Sequence, residues 1–591
     1  MFQRNAAIAL LIFLGSFAVY RANDGYLCTN DSAPNSLLFF NAVENRTFAF
    51  DAFAKGYLYD SGGGYIFTTA PNGHLEPIYP IGAALLASPI YLAEYLAERS
   101  HGPFPSITDP AFDATRFADE KLAAGILAAL AAAVFFLCAL RYAPLTPAVV
   151  ATFAFAFGTE MWSIGSQALW QHGPVALVTL VMMAALLSLD DRPKGFRALA
   201  LAGLAAGFLF TIRPTAAAFS IAGFAFAAER TGRKSWVFVL AALAGAAPGL
   251  WWNLAIFHTL LGGYTSVLSA YAFTFAQAAG SVPGLLVSPN RGLLVFSALV
   301  VLSAVGAFRA LRARDSRSRL LIYSSAACAL TFANYVFFLN WNAGATFGPR
   351  YLTELMPTAG LLLTYALPKR IDFSSSRLRA AWAIAAILIG ASAFVQFVGV
   401  NGDPKTNWSE VPTDISFDKN RVWQWHDGQI WRDALATYRL WAANPTFTAG
   451  YANGFNGEIE KIAHDGDSIS ENETLAVFSG SKLALSVTMK NTGSSPWYGY
   501  TSGFGLGQTR LRVRYLDSAQ RTILDRDLFL PGAAGNGGRT EAAGDVDVPA
   551  QPGDYTAVFD IDVAGNARIG SRHVGARSIR IRVVGEPGGS S

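Results

Sequence analysis

The stretch ADEKLAAGILAALAAAVFFLCALR, residues 118–141, decides the class of this protein. It carries no charge from Leu122 to Leu140 and ends on Arg141. An apolar run of about 20 residues is what a helix needs to cross the hydrocarbon of a bilayer. A basic residue at the end of such a helix is typical of its cytoplasmic side. The stretch therefore predicts a membrane helix with Arg141 inside.

Similar apolar stretches fill most of the first 400 residues. The first one follows Arg4 and looks like a signal peptide, but no small-residue cleavage site follows it. We interpret it as a membrane helix whose N-terminus lies inside. The predicted membrane segments are 6–21, 79–97, 118–140, 146–159, 173–189, 197–212, 216–228, 236–257, 291–308, 320–339, 352–368 and 379–400.

Basic residues orient these segments, because cytoplasmic loops are enriched in lysine and arginine. Placing five basic clusters inside gives a consistent alternation from residue 118 onward. If 79–97 crossed the membrane fully, Arg141 and the later basic clusters would lie on the outer side. We therefore predict a re-entrant or interfacial helix for 79–97, and eleven full spans. The clusters are Arg141; Arg192, Lys194 and Arg197; Arg230, Arg233 and Lys234; Arg309, Arg312, Arg314, Arg317 and Arg319; and Lys369, Arg370, Arg377 and Arg379.

This alternation leaves most of the unusual polar residues on the outer, non-cytoplasmic face. That face receives 22–78, 98–117, 159–172, the turn at Arg213, 258–290, 340–351 and everything beyond 400. Ala- and Gly-rich usage suggests a bacterial source. We thus expect a multi-pass protein of the bacterial inner membrane with its polar chemistry and its C-terminal domain on the periplasmic side.

The composition agrees with a membrane protein and excludes other classes. Only 15% of the 591 residues are charged, against about 25% in soluble proteins, and 52% are hydrophobic. A net charge of +4, without a long basic run, argues against a nucleic-acid partner. The three widely spaced cysteines form neither a disulfide framework nor a metal-ligand cluster.

The last third of the chain changes character. We divide the chain into a transmembrane domain over 1–400, an amphipathic helix and linker over 401–454, and a domain over 455–591. The tryptophans of 421–441 suit a helix lying on the bilayer surface. Short alternating strands separated by NTGS and QPGD turns predict an all-β, immunoglobulin-like sandwich in the last domain. Such a module acts as a spacer or cover, or it binds glycan.

Two groups of candidate residues lie at the start of the outer face. Asp24 and Asp31 follow the first helix, and 35–45 predicts a short surface helix. A carboxylate there suits a general base toward an acceptor hydroxyl or amine, although the spacing alone favours a solvated loop acid or a helix cap. His74 and Tyr79 lie at the opening of the next helix and are candidates for substrate binding.

The other candidates lie in later outer turns. Glu160 and His172 share one short connection close to hydrocarbon, where such groups are costly unless paired or hydrated. Arg213, Arg291 and Arg350 lie at outer helix ends. They either snorkel to lipid headgroups or bind a phosphate through bidentate hydrogen bonds. Flanking Gly and Pro residues favour the phosphate interpretation for Arg350.

Taken in order, these segments resemble the GT-C superfamily of membrane glycosyltransferases, in the branch of protein-O-mannosyltransferases and aminoarabinose transferases. The resemblance covers about residues 1–440. After the acidic first outer loop with its surface helix, it rests on five motifs: YP-x-G at Tyr79, W-x-H-G-P at His172, T-x-R-P at Arg213, S-P-x-R-G at Arg291, and G-P-R-Y-L at Arg350.

The resemblance implies an inverting transfer from a polyprenyl-phosphate sugar to a glycan, lipid or protein acceptor on the periplasmic face, without a cofactor. Asp31 matches the general base best, with Asp24 as the fallback, and Glu160 matches a second outer acid. Arg350, with Arg291 and Arg213, would hold the donor phosphate. The Asp-Glu pair of protein-O-mannosyltransferases is absent, because Ser32 follows Asp31. The acidic triplet of metal-dependent oligosaccharyltransferases is also missing, so we assign no metal.

Two alternatives remain at this point. A transporter or flippase of lipid-linked glycans should show repeated halves or broken helices with charges at the bilayer midplane. The charged residues of this chain cluster at helix ends instead. A ligase that uses a diphosphate-linked glycan is the other alternative.

Overall fold

The computed structural model describes residues 2–56, 58, 63–190, 195–313, 315–370, 374–439, 441, 449–470, 473–503, 507–563 and 574–585. The chain packs into two compact units. The first comprises 1–400 and 418–425, and the second comprises 401–417 and 426–591. The first is helical and the second is rich in β-strands, so the predicted fold class is confirmed.

The helices of the first unit follow the predicted apolar segments closely. Among them, the surface helix after the first span covers Ala33–Glu44, where Pro34 suits the first turn. In chain order the helices are α1 Phe2–Arg21, α2 Ala33–Glu44, α3 Gly82–Arg99, α4 Phe112–Ala139, α5 Leu145–Phe157, α6 His172–Leu187, α7 Phe196–Ile212, α8 Ala217–Thr231, α9 Trp236–Phe257, α10 Phe275–Val287, α11 Leu293–Phe296, α12 Val300–Ala313, α13 Ser316–Val336, α14 Met356–Ala366 and α15 Ser376–Thr406.

Several of these helices are long and apolar enough to cross a membrane. Within the described residues, five segments meet both criteria by length and composition, and Gly82–Arg99 is not among them. The chain is a multi-pass membrane protein, while the predicted number of eleven full spans stays a prediction. The five segments are Gln3–Arg21, Phe112–Ala139, His172–Asp190, Pro214–Phe257 and Ser376–Pro404, and shorter apolar helices cover Leu145–Phe157, Phe196–Ile212 and Phe275–Val287.

Glycine allows the closest helix contacts in this unit. A Cβ atom on Gly207 of α7 would lie 1.8 Å from the Ala242 carbonyl oxygen of α9. One on Gly245 of α9 would lie 2.1 Å from the Leu204 carbonyl oxygen. Small residues let helix backbones approach in this way where lipid gives no hydrophobic driving force. The Ala- and Gly-rich composition therefore has a packing role.

Three predicted segments need correction. The stretch 291–308 is not one helix, because the Leu299 N–H donates to the Ser392 hydroxyl (3.1 Å) and the helix is interrupted after Phe296. The connection 258–290, for which we predicted no membrane segment, contains the apolar helix Phe275–Val287. The stretch 421–441 is also interrupted, because Asn290 Nδ2 donates to the carbonyls of residues 421 and 424. Its helical part, α16, covers Gln429–Tyr438.

Over its described residues, the second unit contains one sheet of four strands, one of five strands, and a small antiparallel sheet formed by Trp497–Tyr498 and Ala533–Ala534. In the four-stranded sheet the strands lie in the order Arg539–Asp547, Lys482–Asn491, Gly457–His464 and Asp467–Ser468. In the five-stranded sheet the order is Thr474–Phe478, Val574–Val584, Gly553–Val563, Thr509–Leu516 and Thr522–Phe529, and the first two of these run parallel. Alternate side chains of both sheets share one apolar core, which includes Val487, Val513 and Phe559. This is the predicted sandwich. The unit also contains helix α17 (Ala449–Gly454), and its strands are β3 Gly457–His464, β4 Asp467–Ser468, β5 Thr474–Phe478, β6 Lys482–Asn491, β7 Trp497–Tyr498, β8 Thr509–Leu516, β9 Thr522–Phe529, β10 Ala533–Ala534, β11 Arg539–Asp547, β12 Gly553–Val563 and β13 Val574–Val584.

Candidate functional site

The Asp31 carboxylate lies at the centre of a polar cluster in the first unit. Its Oδ2 atom is 2.8 Å from Arg350 Nη2. Its Oδ1 atom accepts hydrogen bonds from the Tyr65 hydroxyl (2.6 Å) and the Tyr79 hydroxyl (2.8 Å). Asp31 lies two residues before the first residue of α2, and its side chain is 21% exposed. One carboxylate thus joins the loop after α1 to the helix start at Tyr79 and to the distant Arg350.

A tight turn presents Arg350 to this carboxylate. Gly348 adopts a positive φ of 66°, and a Cβ atom there would lie 2.5 Å from the Phe296 ring. The guanidinium carbon lies 4.6 Å from the Trp170 ring centroid and 5.3 Å from that of Tyr351. The Arg350 Nε atom is buried and finds no hydrogen-bond partner among the described residues. Arg350 therefore keeps a donor that Asp31 does not use.

Electrostatics keep Asp31 ionised. Burial alone would raise the pKa of Asp31, but the Arg350 charge and the two tyrosine hydroxyls outweigh it and hold this pKa below its ordinary value. A carboxylate with a depressed pKa contributes stability above its unfolded pKa and loses it as pH falls through the folded value. Asp31 is thus a negatively charged proton acceptor at neutral pH.

A second buried carboxylate, Glu354, lies one turn after Arg350. Its Oε1 atom is 2.9 Å from His172 Nδ1 and 3.1 Å from Arg213 Nε, and it accepts a longer bond from the Tyr335 hydroxyl (3.4 Å). Its Oε2 atom is buried without a hydrogen-bond partner among the described residues. Glu354 was not predicted from the sequence, because it stands in the apolar stretch LTELMP. The only feature that could have indicated it is its position four residues after Arg350.

Aromatic rings join the two carboxylate groups. Tyr351 stacks on Tyr335 at 4.7 Å between centroids, and its ring also lies 5.9 Å from the guanidinium carbon of Arg213. Gln171 Oε1 accepts hydrogen bonds from Arg213 Nη1 (3.1 Å) and from the Tyr264 hydroxyl (2.7 Å). The structure thus brings together five of the predicted residues, which are Asp31, Tyr79, His172, Arg213 and Arg350.

The other four predicted residues make different contacts. Arg291 is fully buried, and its guanidinium donates to the backbone carbonyls of residues 290, 342 and 344 (2.6 to 3.0 Å). Glu160 accepts from the Ser297 hydroxyl (3.1 Å), and burial raises the pKa of Glu160 to about 7. His74 pairs with Asp51 at 2.6 Å on the exposed hairpin. Asp24 is exposed in the loop after α1. The described contacts of these four do not include the Asp31 cluster.

The described residues include no cluster of side chains that could bind a metal ion. Among the residues that the structure describes, no group of three or more His, Cys, Asp or Glu side chains is arranged to hold a metal ion. Our expectation that no metal is needed stays a prediction.

A buried acid close to Asp51 and His74 leads to a first prediction. Glu76 lies on the hairpin formed by strands β1 (Phe67–Thr69) and β2 (Leu75–Pro77), where it is 1% exposed. Burial raises the pKa of Glu76 to about 7. The fold therefore favours the protonated acid, and the corresponding stability is lost as pH rises from the unfolded pKa of about 4.3 through 7.

We expect Glu76→Gln to raise the melting temperature at pH 8 and to change it little at pH 5. The amide mimics the protonated acid and never ionises, so the variant avoids a cost on the order of 1–3 kcal/mol at high pH. Thermal unfolding of the purified full-length protein at both pH values measures this effect. The prediction is wrong if the melting temperatures of the variant and the wild type differ by the same amount at both pH values.

Comparisons with known proteins give matches at the level of solved structures. No family model and no curated protein matches the sequence. ArnT from Cupriavidus metallidurans matches in its apo state with 11% identity and a TM-score of 0.42, over 73% of this chain and 69% of that one. The same protein bound to undecaprenyl phosphate matches with 12% identity and a TM-score of 0.41, over 74% and 71%.

A third match is the archaeal oligosaccharyltransferase AglB from Archaeoglobus fulgidus, in complex with an inhibitory peptide and a dolichol-phosphate. It is 14% identical with a TM-score of 0.38, over 74% of this chain and 58% of that one, so this chain spans less than two thirds of AglB. ArnT and AglB are both GT-C glycosyltransferases, the superfamily that the sequence motifs resemble.

Proposed function

We propose that this protein is a membrane glycosyltransferase that transfers a sugar from a polyprenyl-phosphate donor to a hydroxyl or amine acceptor on the periplasmic face. The observation that carries the proposal is the Asp31–Arg350 pair, in which a proton acceptor and a phosphate-binding group lie 2.8 Å apart. The motif resemblance and the predicted outer placement of both residues support it.

In the proposed reaction Asp31 takes the proton of the acceptor hydroxyl or amine. The freed oxygen or nitrogen forms a bond to the anomeric carbon, while the bond from that carbon to the phosphate oxygen breaks. The polyprenyl phosphate leaves with the electron pair, and the anomeric configuration inverts. Hydrogen bonds from Tyr65 and Tyr79 to Oδ1 fix the orientation of the base.

Arg350 has the groups that a departing phosphate needs. A guanidinium binds phosphate through parallel N–H donors, and such donors stabilise charge that develops in the transition state. Arg350 uses Nη2 for Asp31 and leaves Nε without a partner in the described structure. Arg213 supplies a second positive charge near the cluster, and Glu354 and Gln171 hold its guanidinium.

Donor binding also adjusts the strength of the base. A phosphate that takes hydrogen bonds from Arg350 competes with Asp31 for this guanidinium. The pKa of Asp31 then rises toward its ordinary value, and a base with a higher pKa accepts a proton more readily. Asp31 thus becomes the stronger base when the sugar donor is present.

The test uses purified full-length protein in lipid vesicles, a panel of polyprenyl-phosphate hexoses and pentoses labelled in the sugar, and a bacterial envelope fraction as acceptor. We expect label in the acceptor fraction and release of one polyprenyl phosphate for each sugar transferred. Movement of intact labelled lipid between leaflets without cleavage would favour a flippase. Reaction only with diphosphate-linked glycans would favour a ligase.

A further inference from the structure

Another buried carboxylate network, separate from the one around Glu354, contacts the residue that follows Asp31. Glu120 of α4 is fully buried. Its Oε2 atom accepts a hydrogen bond from the Ser32 hydroxyl (2.6 Å), and its Oε1 atom accepts one from the Ser36 hydroxyl (2.7 Å). Arg116, one turn earlier on the same helix, neutralises it at 2.6 Å. Every one of these four side chains is buried.

The two serines connect this carboxylate to the proposed base. Ser32 follows Asp31 in sequence, and Ser36 lies one turn further along the surface helix, on the same face. Both oxygens of Glu120 therefore hold the first turn of α2 against α4. The position of Asp31 depends on where this turn lies.

A third bond ties the same turn to the partner of Asp31. Asn35 Nδ2 donates to the Leu169 carbonyl oxygen at 2.7 Å. The next residue is Trp170, whose ring packs on the Arg350 guanidinium. The first turn of α2 is thus fixed on one side by Glu120 and on the other by the segment that supports Arg350.

We propose that Glu120 is a positioning residue that acts through Ser32 and Ser36 to hold Asp31 at its reacting distance. This inference rests on the proposed function. A buried ion pair is weak grounds for a role in stability, because apolar replacements are often as stable. A carboxylate whose two oxygens both bond the turn behind the base has a geometric role instead, and displacements of about 1 Å cost about 100-fold in rate.

The test uses two variants, Glu120→Gln and the double change Ser32→Ala with Ser36→Ala. The double variant keeps the Glu120–Arg116 ion pair, so it still tests the proposal if Glu120→Gln misfolds. Asp119→Asn is the matched control, because Asp119 is also buried on α4 but shares no described bond with either serine. We expect kcat with the panel donor that reacts to fall about 10- to 100-fold in both test variants. KM for this donor should change less than about threefold, and the control should match wild type.

The variant Asp31→Asn separates positioning from general damage. If Glu120 acts through Asp31, Glu120→Gln should lower the residual rate of Asp31→Asn no further, since residues that act as a unit are non-additive. The proposal is overturned if Glu120→Gln lowers kcat by the same factor in the wild-type and Asp31→Asn backgrounds. It is also overturned if Asp119→Asn loses as much kcat as the test variants, or if both test variants keep the wild-type kcat.

A second readout does not depend on sugar transfer. Amide hydrogen exchange of the peptide that contains 29–37 should speed up in both test variants and stay at the wild-type rate in Asp119→Asn. Unchanged exchange overturns the positioning role. Failure of the wild-type protein to transfer any panel sugar overturns the proposed function alone, and then the exchange result decides whether Glu120 holds the turn.

Discussion

Asp31→Asn should lower sugar transfer about 100- to 10,000-fold, the usual contribution of a general base. The amide has the same shape as the carboxylate and still accepts hydrogen bonds from Tyr65 and Tyr79, but it does not take a proton from the acceptor. Arg350 loses its counter-charge in this variant. We therefore expect undecaprenyl phosphate to bind at least as tightly as it binds the wild type, while transfer is lost.

Two measurements check this separation of binding from chemistry. Transfer is followed with the labelled donor, and binding is followed by titrating undecaprenyl phosphate into the protein in nanodiscs. Asp24→Asn is the companion variant, because Asp24 is the fallback candidate for the base and lies in the same loop. Full activity of Asp31→Asn together with loss of activity in Asp24→Asn would move the base to Asp24. Loss of both binding and transfer in Asp31→Asn would indicate a structural role for Asp31.

The sequence allowed the members of the cluster to be predicted where charge stands at a helix end. His172, Arg213 and Arg350 each stand at the edge of an apolar stretch, where costly groups need partners, and Asp31 stands in the polar loop that follows the first helix. The structure brings these four together with Tyr79 from five separate turns. The basic clusters predict that these five turns share one face of the membrane, and that sidedness stays a prediction.

Residues that lack such a signal were not predictable. Glu354 lies within a stretch that reads as the start of an apolar helix, and Tyr65 belongs to a glycine-rich loop with no periodic pattern. Conversely, Arg291 has the same local pattern as Arg350, with proline and glycine beside it. Only tertiary structure shows that the Arg291 guanidinium bonds three backbone carbonyls whereas that of Arg350 meets a carboxylate.

Helix continuity was the less predictable part of the fold. Hydropathy over 291–308 gives one apolar run, yet the backbone is interrupted where the Ser392 hydroxyl accepts a hydrogen bond from the Leu299 N–H. A side chain almost a hundred positions away decides this break, so no local pattern records it. The strands of the second unit were easier, because their period of two is local and strong.

Arg350→Gln should weaken binding of undecaprenyl phosphate about 10- to 100-fold, because a hydrogen bond to a charged group contributes about 1.5–3 kcal/mol. The same change leaves Asp31 without its nearby positive charge and lets the pKa of Asp31 rise toward its ordinary value. Arg350→Lys keeps the charge but loses the planar pair of donors, so we expect an intermediate affinity.

The combination of Arg350→Gln with Asp31→Asn tests whether phosphate and carboxylate share this guanidinium. If they compete for Arg350, removing Asp31 alone tightens binding of undecaprenyl phosphate, and this gain disappears once Arg350 is replaced. Binding in nanodiscs of the wild type, the two single variants and the double variant gives the coupling between the two residues. Tyr65→Phe is the neutral control, because it removes one hydrogen bond to Asp31 without changing a charge. Additive effects of the two changes would mean that the donor phosphate binds elsewhere than at the Asp31–Arg350 pair.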